Sequence, residues 1–181
     1  MKTFHKILVA NRGEIAARIM RSAREMGIKT VAVYAAADSD SLHIPLADEA
    51  YRIGQEELAD TYLNIDKLID VAKKSGCEAV HPGYGFLAEN PQFAKAVEEA
   101  GLAFIGPSAE AIRLMGNKIE ARKKMREIEV PLLEGQTGTP EELLKNAEKH
   151  DYPLLIKAAA GGGGKGMRIV HKPEELKQAL E

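Results

Sequence analysis

Short apolar segments alternate with helical segments over residues 6–105, and this alternation restricts the fold more than any other feature of the sequence. Residues 6–10 (KILVA) are typical of a strand, and apolar positions from Ile15 to Met26 then recur at helical spacing until Gly27. Strands separated by helices pair in parallel through right-handed crossovers. The sequence therefore predicts an α/β fold, a Rossmann-like open parallel sheet with helices on both faces.

The other elements of this sheet follow the same pattern. Asn64 is a suitable N-cap for a helix that ends at Gly76, and Asn90 followed by Pro91 opens another. Further strands are predicted at residues 29–34, 50–53, 79–81 and 102–105.

Polar loops follow four of the predicted strands. They are ANRGE, YAAADSD, HPGYGF and IGPS, after the first, second, fourth and fifth strands. Ligands of open parallel sheets bind at the carboxyl ends of the strands. We therefore expect these four loops to gather at one edge. Asn11, Arg12 and Gly13 open a helix there, which suits either an anion site or simple turn and cap geometry.

Composition narrows the classes of partner. The 181 residues contain 25 Lys and Arg against 27 Asp and Glu, so the net charge of −2 gives no broad basic surface for nucleic acid or an anionic membrane. No apolar run near the start is long enough for a signal peptide or a membrane span, so we expect a cytoplasmic protein. Cys77 is the single cysteine, which excludes an internal disulfide, and we expect it to be buried.

Residues 108–129 are mostly helical and heavily charged, and Val130, Pro131 and the loop to Gly138 then break the helical pattern. We interpret this loop as a boundary after which a second unit begins. Thr139, Pro140 and Glu142 then form a capping box for a helix to about His150. Two strands at residues 154–158 and 167–170 and a helix at 174–180 complete the unit.

The loop between those two strands is unusually rich in glycine. Five of the 16 glycines lie in residues 161–166 (GGGGKG), where exposed backbone N–H groups can wrap phosphate oxygens and Lys157 and Lys165 add positive charge. A dinucleotide fingerprint is excluded because this loop leads into a strand, and a P-loop because Gly166 stands where Ser or Thr is required. The pattern favours a glycine hairpin that closes over nucleotide phosphates; the alternative is a surface hairpin without a ligand.

Four segments together resemble a known family. VANRGEIAARI at 9–19, HPGYGFLAEN at 81–90, FIGPSAEAIRLMGNK at 104–118 and LIKAAAGGGGKGMRIV at 155–170 are similar, in this order and spacing, to the biotin carboxylase component of biotin-dependent carboxylases, which belong to the ATP-grasp superfamily. The resemblance implies an enzyme that uses ATP and bicarbonate to carboxylate biotin on a carrier domain. It also implies three regions: a pre-ATP-grasp domain at 1–117, a helical connector at 118–130, and an incomplete ATP-grasp lid at 131–181.

The resemblance assigns phosphate contacts to two lysines and the glycine loop. Lys118 in MGNK and Lys157 in LIKA match the positions of the family's two ATP-phosphate lysines, and a compact ammonium suits a phosphate. Ala159 stands where family members often have Ser, which puts one hydroxyl contact in doubt. The loop residues expected to cover the phosphates are Gly163, Gly164, Lys165 and Gly166.

The resemblance also implies a biotin and bicarbonate pocket and a dimer interface. Tyr84 and Gly85 match pocket positions, and we include Glu89 because the turns of HPGYGF expose it at the same edge. Arg21 and Glu25 match positions at the family's dimer interface. The plainer interpretations are that Tyr84 packs against the neighbouring phenylalanine and that Arg21 and Glu25 form an exposed ion pair.

The resemblance places the catalytic groups elsewhere. Family members are more than twice as long, and their later part supplies the magnesium ligands, the adenine pocket, an arginine that stabilises the biotin enolate and the base for bicarbonate. We therefore expect no catalytic or metal-binding residue in these 181 residues, and no carboxylation by them alone. The implied cofactors are ATP and Mg²⁺, and the implied partners are bicarbonate, a biotinylated carrier domain, a carboxyltransferase component and a second copy of the chain.

Three alternatives remain open. Another ATP-grasp ligase, such as a carbamoyl phosphate or purine-pathway enzyme, would share the glycine loop but not HPGYGFLAEN together with ANRGEIAARI. A non-catalytic nucleotide-binding or dimerising module would use the same residues as the carboxylase. An NAD-binding domain is the weakest alternative, because Asp38 follows the second strand as a ribose-binding acid would, but only Gly13 is present in the preceding turn.

Overall fold

Five parallel strands build the sheet of the first of two units in the computed structural model, in the order β3-β2-β1-β4-β5. The two units are Met1–Arg113 and Leu114–Glu181. The structure describes residues 4–133, 135–146, 149, 151–157 and 167–180. The strands are β1 (Lys6–Val9), β2 (Lys29–Ala35), β3 (Glu49–Gly54), β4 (Ala79–His81) and β5 (Ala103–Phe104).

The strand order places a crevice at the carboxyl end of β1. In register, Leu8 lies opposite Val31 of β2 on one side and Val80 of β4 on the other. The chain therefore leaves β1 between two loops that run outward from neighbouring strands, which is where open α/β sheets bind ligands.

Helices cover both faces of this sheet, as predicted. Ile7 and Val9 pack with the buried side chains of α1 (Gly13–Glu25), whereas Leu8 between them packs with those of α2 (Ile65–Lys74) and α3 (Pro91–Glu99). Successive strand residues face opposite ways, so both faces of β1 are buried. The predicted α/β fold with a parallel sheet and helices on both faces is confirmed.

Local signals begin and end the helices. The side-chain oxygen of Asn64 accepts from the backbone N–H of Lys67, and that of Asn90 accepts from those of Gln92 and Phe93. Gly76 follows α2 with a φ of +68°, a backbone conformation that only glycine adopts without cost. The two predicted N-caps and this predicted helix end are thus confirmed.

The second unit is a short antiparallel hairpin with helices. Its helices after α4 (Ala109–Gly116) are α5 (Lys118–Glu127), α6 (Pro140–Lys145) and α7 (Pro173–Leu180). Strands β6 (Leu154–Ile156) and β7 (Arg168–Val170) pair with Leu155 opposite Ile169. Its buried side chains are Val170 and Leu176, surrounded by partly buried Leu144, Tyr152, Leu154, Ile156, Ala179 and Leu180.

The capping box of α6 is present, but the helix is shorter than predicted. Thr139 donates its backbone N–H to the Glu142 carboxylate, and Glu142 donates its own to the Thr139 hydroxyl. The helix ends at Lys145 because Asn146 closes it: its backbone N–H bonds to the carbonyl of Leu143 and its side-chain amide to that of Glu142. Asparagine competes in this way with continued helix.

Cys77 is buried, as expected, and burial raises the pKa of its thiol. Across the part of the chain that the structure describes, no helix is both long and apolar enough to cross a membrane. In the same residues there is no group of three or more His, Cys, Asp or Glu side chains that could hold a metal ion.

We expect the backbone amides of the two units to exchange with solvent at different rates. The first has a two-sided core around a five-stranded sheet, whereas the described residues of the second include two buried core side chains, Val170 and Leu176, beside a two-stranded hairpin. A hairpin of this size is marginally stable. Amides of β1, β2 and β4 should therefore exchange at least about 100-fold more slowly than those of β6 and β7, measured by mass spectrometry under native conditions. Equal protection in both units would contradict this expectation.

Candidate functional site

The side chain of Asn11 joins the loops that follow β1 and β4. It is only 3% exposed, and its Nδ2 donates to the carbonyl of Pro82 at 2.8 Å and to that of Tyr84 at 2.9 Å. Its Oδ1 accepts from the backbone N–H of Arg12 at 2.9 Å. Both amide hydrogens and the amide oxygen are therefore bonded. Two of the loops predicted to gather at the carboxyl edge do so through this one residue.

Gly83 leaves room for that amide. A Cβ at Gly83 would lie 2.8 Å from Asn11 Nδ2. The φ of Gly83, +69°, also lies in the left-handed region that favours glycine. The backbone N–H of Gly83 donates to Nδ1 of His81 at 3.0 Å, which requires that nitrogen to be unprotonated. Burial, with a smaller contribution from Arg18, lowers the pKa of His81 and favours this neutral form. His81 thus stabilises this turn through its ring nitrogen.

Arg12 ties the loop after β2 to the same edge. Its Nη1 donates to Oδ2 of Asp38 at 2.8 Å, and the hydroxyl of Tyr62 donates to the same oxygen at 2.8 Å. Tyr62 also accepts from the backbone N–H of Ala35 at 3.0 Å. Burial alone would raise the pKa of Asp38, but the hydrogen bonds from Arg12 and Tyr62 outweigh it and the pKa lies below its usual range. Burial raises the pKa of Tyr62, so its hydroxyl stays a donor.

This arrangement argues against the NAD-binding alternative. A ribose-binding acid must present free carboxylate oxygens to the sugar hydroxyls. Oδ2 of Asp38 instead accepts two hydrogen bonds from Arg12 and Tyr62, and the carboxylate is mostly buried. Asp38 is a structural anchor for Arg12.

Phe86 stacks on Tyr62, which the sequence did not indicate. The two rings are parallel within 6°, with centroids 5.2 Å apart. The guanidinium carbon of Arg12 lies 5.2 Å from the Tyr62 centroid and 5.5 Å from that of Phe86. The sequence contained the residues of this cluster but no periodic pattern that links them, because they lie in three separate loops.

The three predicted pocket residues lie along the loop between β4 and α3. Tyr84 is 60% exposed, and its hydroxyl donates to Oε2 of Glu14 at 3.0 Å, a hydrogen bond that raises the pKa of Tyr84. Gly85 is exposed beside it, and Glu89 is exposed near the other end of the loop, one residue before the N-cap of α3. Tyr84 therefore contacts the start of α1, and the phenylalanine two residues later packs on Tyr62.

Arg21 and Glu25 lie one turn apart on α1, and both are exposed. Within the described residues they form no ion pair with each other; the ion pair seen on this helix joins Glu14 and Arg18 at 3.9 Å. The expectation of an Arg21–Glu25 pair is therefore not met, and both side chains are presented to solvent.

The predicted phosphate ligands belong to the second unit. Lys118 is the first residue of α5, directly after Asn117, whose Oδ1 accepts from the N–H groups of Ile119 and Glu120. Lys157 directly follows β6 and is exposed. The predicted loop residues Gly163, Gly164, Lys165 and Gly166, and the departure at Ala159, lie outside the described residues.

Among the residues that the structure describes, one face of the β6–β7 hairpin is apolar and exposed. Leu155 is 48% exposed, Met167 49% and Ile169 63%, whereas Val170 on the opposite face is fully buried against Leu176. Sequence analysis did not single out these three side chains. Part of the signal was present, since Leu155 alternates with the less exposed Leu154 and Ile156 on one strand, and Ile169 precedes the buried Val170 on the other.

Replacing Asn11 with Ala should destabilise the first unit by about 1–3 kcal/mol, because it leaves buried carbonyl groups without donors. Asn64→Ala is the matched control, since it removes a single N-cap bond and should cost about 1 kcal/mol. Chemical denaturation of both variants gives the two free energies of unfolding. A cost for Asn11→Ala no greater than that of the control would show that the joined loops do not depend on this amide.

Asp38 should make stability fall in acid. Its pKa in the folded state lies below the unfolded value of about 3.9, so the stability it contributes is present above that value and is lost as the pH falls through the folded pKa. The difference in unfolding free energy between the wild type and Asp38→Asn should be largest near pH 7 and shrink below about pH 4. Urea titrations across this range measure it, with Glu25→Gln as an exposed control. A difference that does not change with pH would contradict the assignment.

Comparisons with known proteins match both parts of the chain. The family description "Biotin carboxylase, N-terminal domain" matches residues 3–112, and "Carbamoyl-phosphate synthase L chain, ATP binding domain" matches residues 117–181. Biotin carboxylase 1 of Bacillus subtilis is 52% identical over 174 residues, which cover 94% of this chain and 39% of the relative. The chain therefore spans about two fifths of the length of that relative.

Two solved structures match nearly the whole chain. The biotin carboxylase domain dimer of Hydrogenobacter thermophilus 2-oxoglutarate carboxylase, in complex with MgADP, ADP and bicarbonate, has a TM-score of 0.92 at 49% identity. A biotin carboxylase complex with β,γ-ATP from Campylobacter jejuni has a TM-score of 0.93 at 42% identity. Each match covers 98% of this chain and 40% of the solved chain. With one family description over more than half of its residues, the chain belongs to the biotin carboxylase family.

Proposed function

We propose that this chain forms the ATP lid and the biotin-side wall of a biotin carboxylase, an ATP-dependent ligase that uses bicarbonate to carboxylate carrier-bound biotin. The observation that carries the proposal is the exposed apolar face of the β6–β7 hairpin, together with Lys157, which directly follows β6. Family membership gives the reaction class, and this face gives the chain a surface suited to one of its substrates.

The hairpin face fits a nucleotide. Leu155 and Ile169 are directly paired and both exposed, so they form a small flat apolar surface. Such a surface suits one side of a purine base, so we propose that the hairpin contributes one wall to the adenine pocket that was expected to lie wholly in the family's later part. The ammonium of Lys157 at the end of β6 suits the phosphates. Lys118 supplies a second candidate phosphate contact, and the glycine loop would cover the phosphates. The Hydrogenobacter relative is described in complex with MgADP, which supports this use of the fold.

The Tyr84 loop fits the other substrates. Tyr84 presents a phenol at the carboxyl edge of the sheet, and Gly85 beside it leaves the backbone open to a ligand. We assign biotin and bicarbonate to this edge, with Glu89 at its margin. Phosphoryl transfer from ATP to bicarbonate would release ADP, and transfer of the carboxyl group to N1′ of biotin would then release phosphate and the N1′ proton. We assign the magnesium ligands and the base for bicarbonate to parts of the protein outside these 181 residues.

Partners follow from the same assignment. A biotin carboxylase acts on a biotinylated carrier domain, and a carboxyltransferase component uses the carboxylated product. We propose α1 as the dimer surface, because Arg21 and Glu25 are exposed on it without an ion pair between them. The same helix exposes Met26 (71%) beside an open groove of about 450 Å³ lined in part by Phe4, Ile19 and Ile28. The Hydrogenobacter relative is described as a domain dimer.

A second candidate is a module that binds nucleotide without catalysis. It uses the same hairpin and the same lysines, and it is favoured by the small core of the second unit, in which two side chains are fully buried. Turnover therefore separates the two candidates, whereas binding tests what they share.

Calorimetric titration of ATP and magnesium into the chain tests the shared part. Lys157→Ala should weaken binding at least tenfold, because it removes the positive charge that is proposed to contact the phosphates. Lys157 is exposed, so the change should not disturb the core. Lys172→Ala, which removes another exposed lysine of the same unit, should leave the affinity unchanged. Equal losses in both variants would mean that nucleotide responds only to overall charge.

Two further measurements complete this test. Leu155→Ser should also weaken ATP binding, whereas Met26→Ser removes an even more exposed apolar side chain from the first unit and should not. An ATPase assay with bicarbonate and free biotin then reports turnover. Binding that is lost in Lys157→Ala, without turnover, supports an ATP lid whose catalytic groups lie elsewhere. Biotin-dependent turnover would overturn the assignment of those groups outside this chain.

A further inference from the structure

Arg12 occupies the N-cap of α1 without capping it. The backbone at this position is extended, as an N-cap requires, but the side chain makes no hydrogen bond to the first turn of the helix. Ser, Asp or Asn at an N-cap stabilises a helix by about 1 kcal/mol relative to residues that cannot cap. The Arg12 side chain does not stabilise α1 in this way, and its contacts lie elsewhere.

The guanidinium instead contacts three loops. It donates to Asp38 in the loop after β2, and it lies beside the stacked rings of Tyr62, which precedes α2, and Phe86, which follows β4. The side chain of Arg12 is 40% exposed and that of Asp38 is 18% exposed, so the pair is partly shielded from water. Nη1 of Arg12 bonds to the acid while its guanidinium carbon lies within cation–π distance of both rings. The broad, planar guanidinium can make these contacts at once, whereas the compact ammonium of Lys is less suited to them.

Phe86 needs such support because its backbone is unfavourable. Its φ of +38° lies in the left-handed region, which is costly for a residue with a bulky side chain. Gly83 and Gly85 just before it also have positive φ values, and glycine gives a loop little intrinsic rigidity. The Tyr84–Gly85 segment is therefore held by Asn11 on one side and by the packed ring of Phe86 on the other.

We propose that Arg12 is a positioning residue for the substrate loop: by holding Phe86 against Tyr62, it fixes where Tyr84 and Gly85 lie at the carboxyl edge. The statement that this loop binds substrate rests on the proposed function, whereas the contacts of Arg12 with the loop do not. Arg12 acts through Phe86 and need not touch the substrate.

Hydrogen exchange of residues 83–88 tests this directly. Arg12→Met should raise exchange there at least tenfold relative to amides of β2, which report opening of the sheet. Arg12→Lys keeps a cation for Asp38 but loses the planar face, so it should restore thermal stability close to wild type while exchange at 83–88 stays at least threefold raised. Arg24→Met is the matched control on the same helix, since Arg24 bonds to the carbonyl of Leu46, and it should leave residues 83–88 unchanged.

A double-mutant comparison identifies the route of the effect. If Arg12 acts through the ring of Phe86, Arg12→Met and Phe86→Leu should each raise exchange at Tyr84 and Gly85, and the double variant should raise it little further. Additive effects, or unchanged exchange in Arg12→Met, would overturn the proposal. Should Arg12→Met unfold because Asp38 loses its partner, the charge-matched pair Arg12→Met with Asp38→Asn replaces it, and the same outcomes apply.

The measurement also separates this inference from the proposed function. Exchange at residues 83–88 is recorded without ligand, so raised exchange supports the role of Arg12 even if the chain fails to bind ATP in the calorimetric titration. Conversely, ATP binding that depends on Lys157, combined with unchanged exchange in Arg12→Met, supports the proposed function and refutes the role of Arg12.

Discussion

The carboxyl edge of the sheet depends on the buried amide of Asn11. This one side chain bonds to two carbonyl groups of the loop after β4 and to the backbone that starts α1, so the two loops cannot move apart without leaving buried polar groups unpaired. The close approach also requires Gly83, since a Cβ there would collide with the amide. The constraint is possible only because β1 and β4 are neighbours, although about seventy residues separate them along the chain.

Arg12 extends this constraint to the loop after β2 by a different interaction. Asn11 acts through neutral hydrogen bonds in a buried position, whereas Arg12 and Asp38 form a partly shielded ion pair beside two aromatic rings. Such a pair contributes little net stability, because the cost of removing charge from water offsets most of the attraction. Its effect is on geometry, because moving either partner away leaves a charge without compensation. At this edge Asn11 thus contributes mainly stability, and the adjacent Arg12 mainly fixes the positions of the loops.

The sequence predicted what depends on local pattern. The parallel sheet followed from strands separated by helices, and the N-caps Asn64, Asn90 and Thr139 followed from residue type alone. The stacking of Tyr62 on Phe86 was not predictable, because both residues lie outside periodic segments and meet only after the sheet has formed. The overlong prediction for α6 had the opposite cause: helical residues continued, but the side chain of Asn146 ended the helix by bonding to its last turn.

The exposed hairpin face follows from how each unit gains its stability. In the first unit β1 buries side chains on both faces, so little apolar surface of that strand remains for a ligand. In the second, only one face of β6 and β7 packs on α7, which leaves Leu155 and Ile169 exposed and few buried contacts to hold the hairpin. Segments that close over a substrate come from the weakly held parts of a protein, because closing and opening must both be cheap in free energy. The small core that makes this unit marginal is therefore compatible with the lid role that we propose for it.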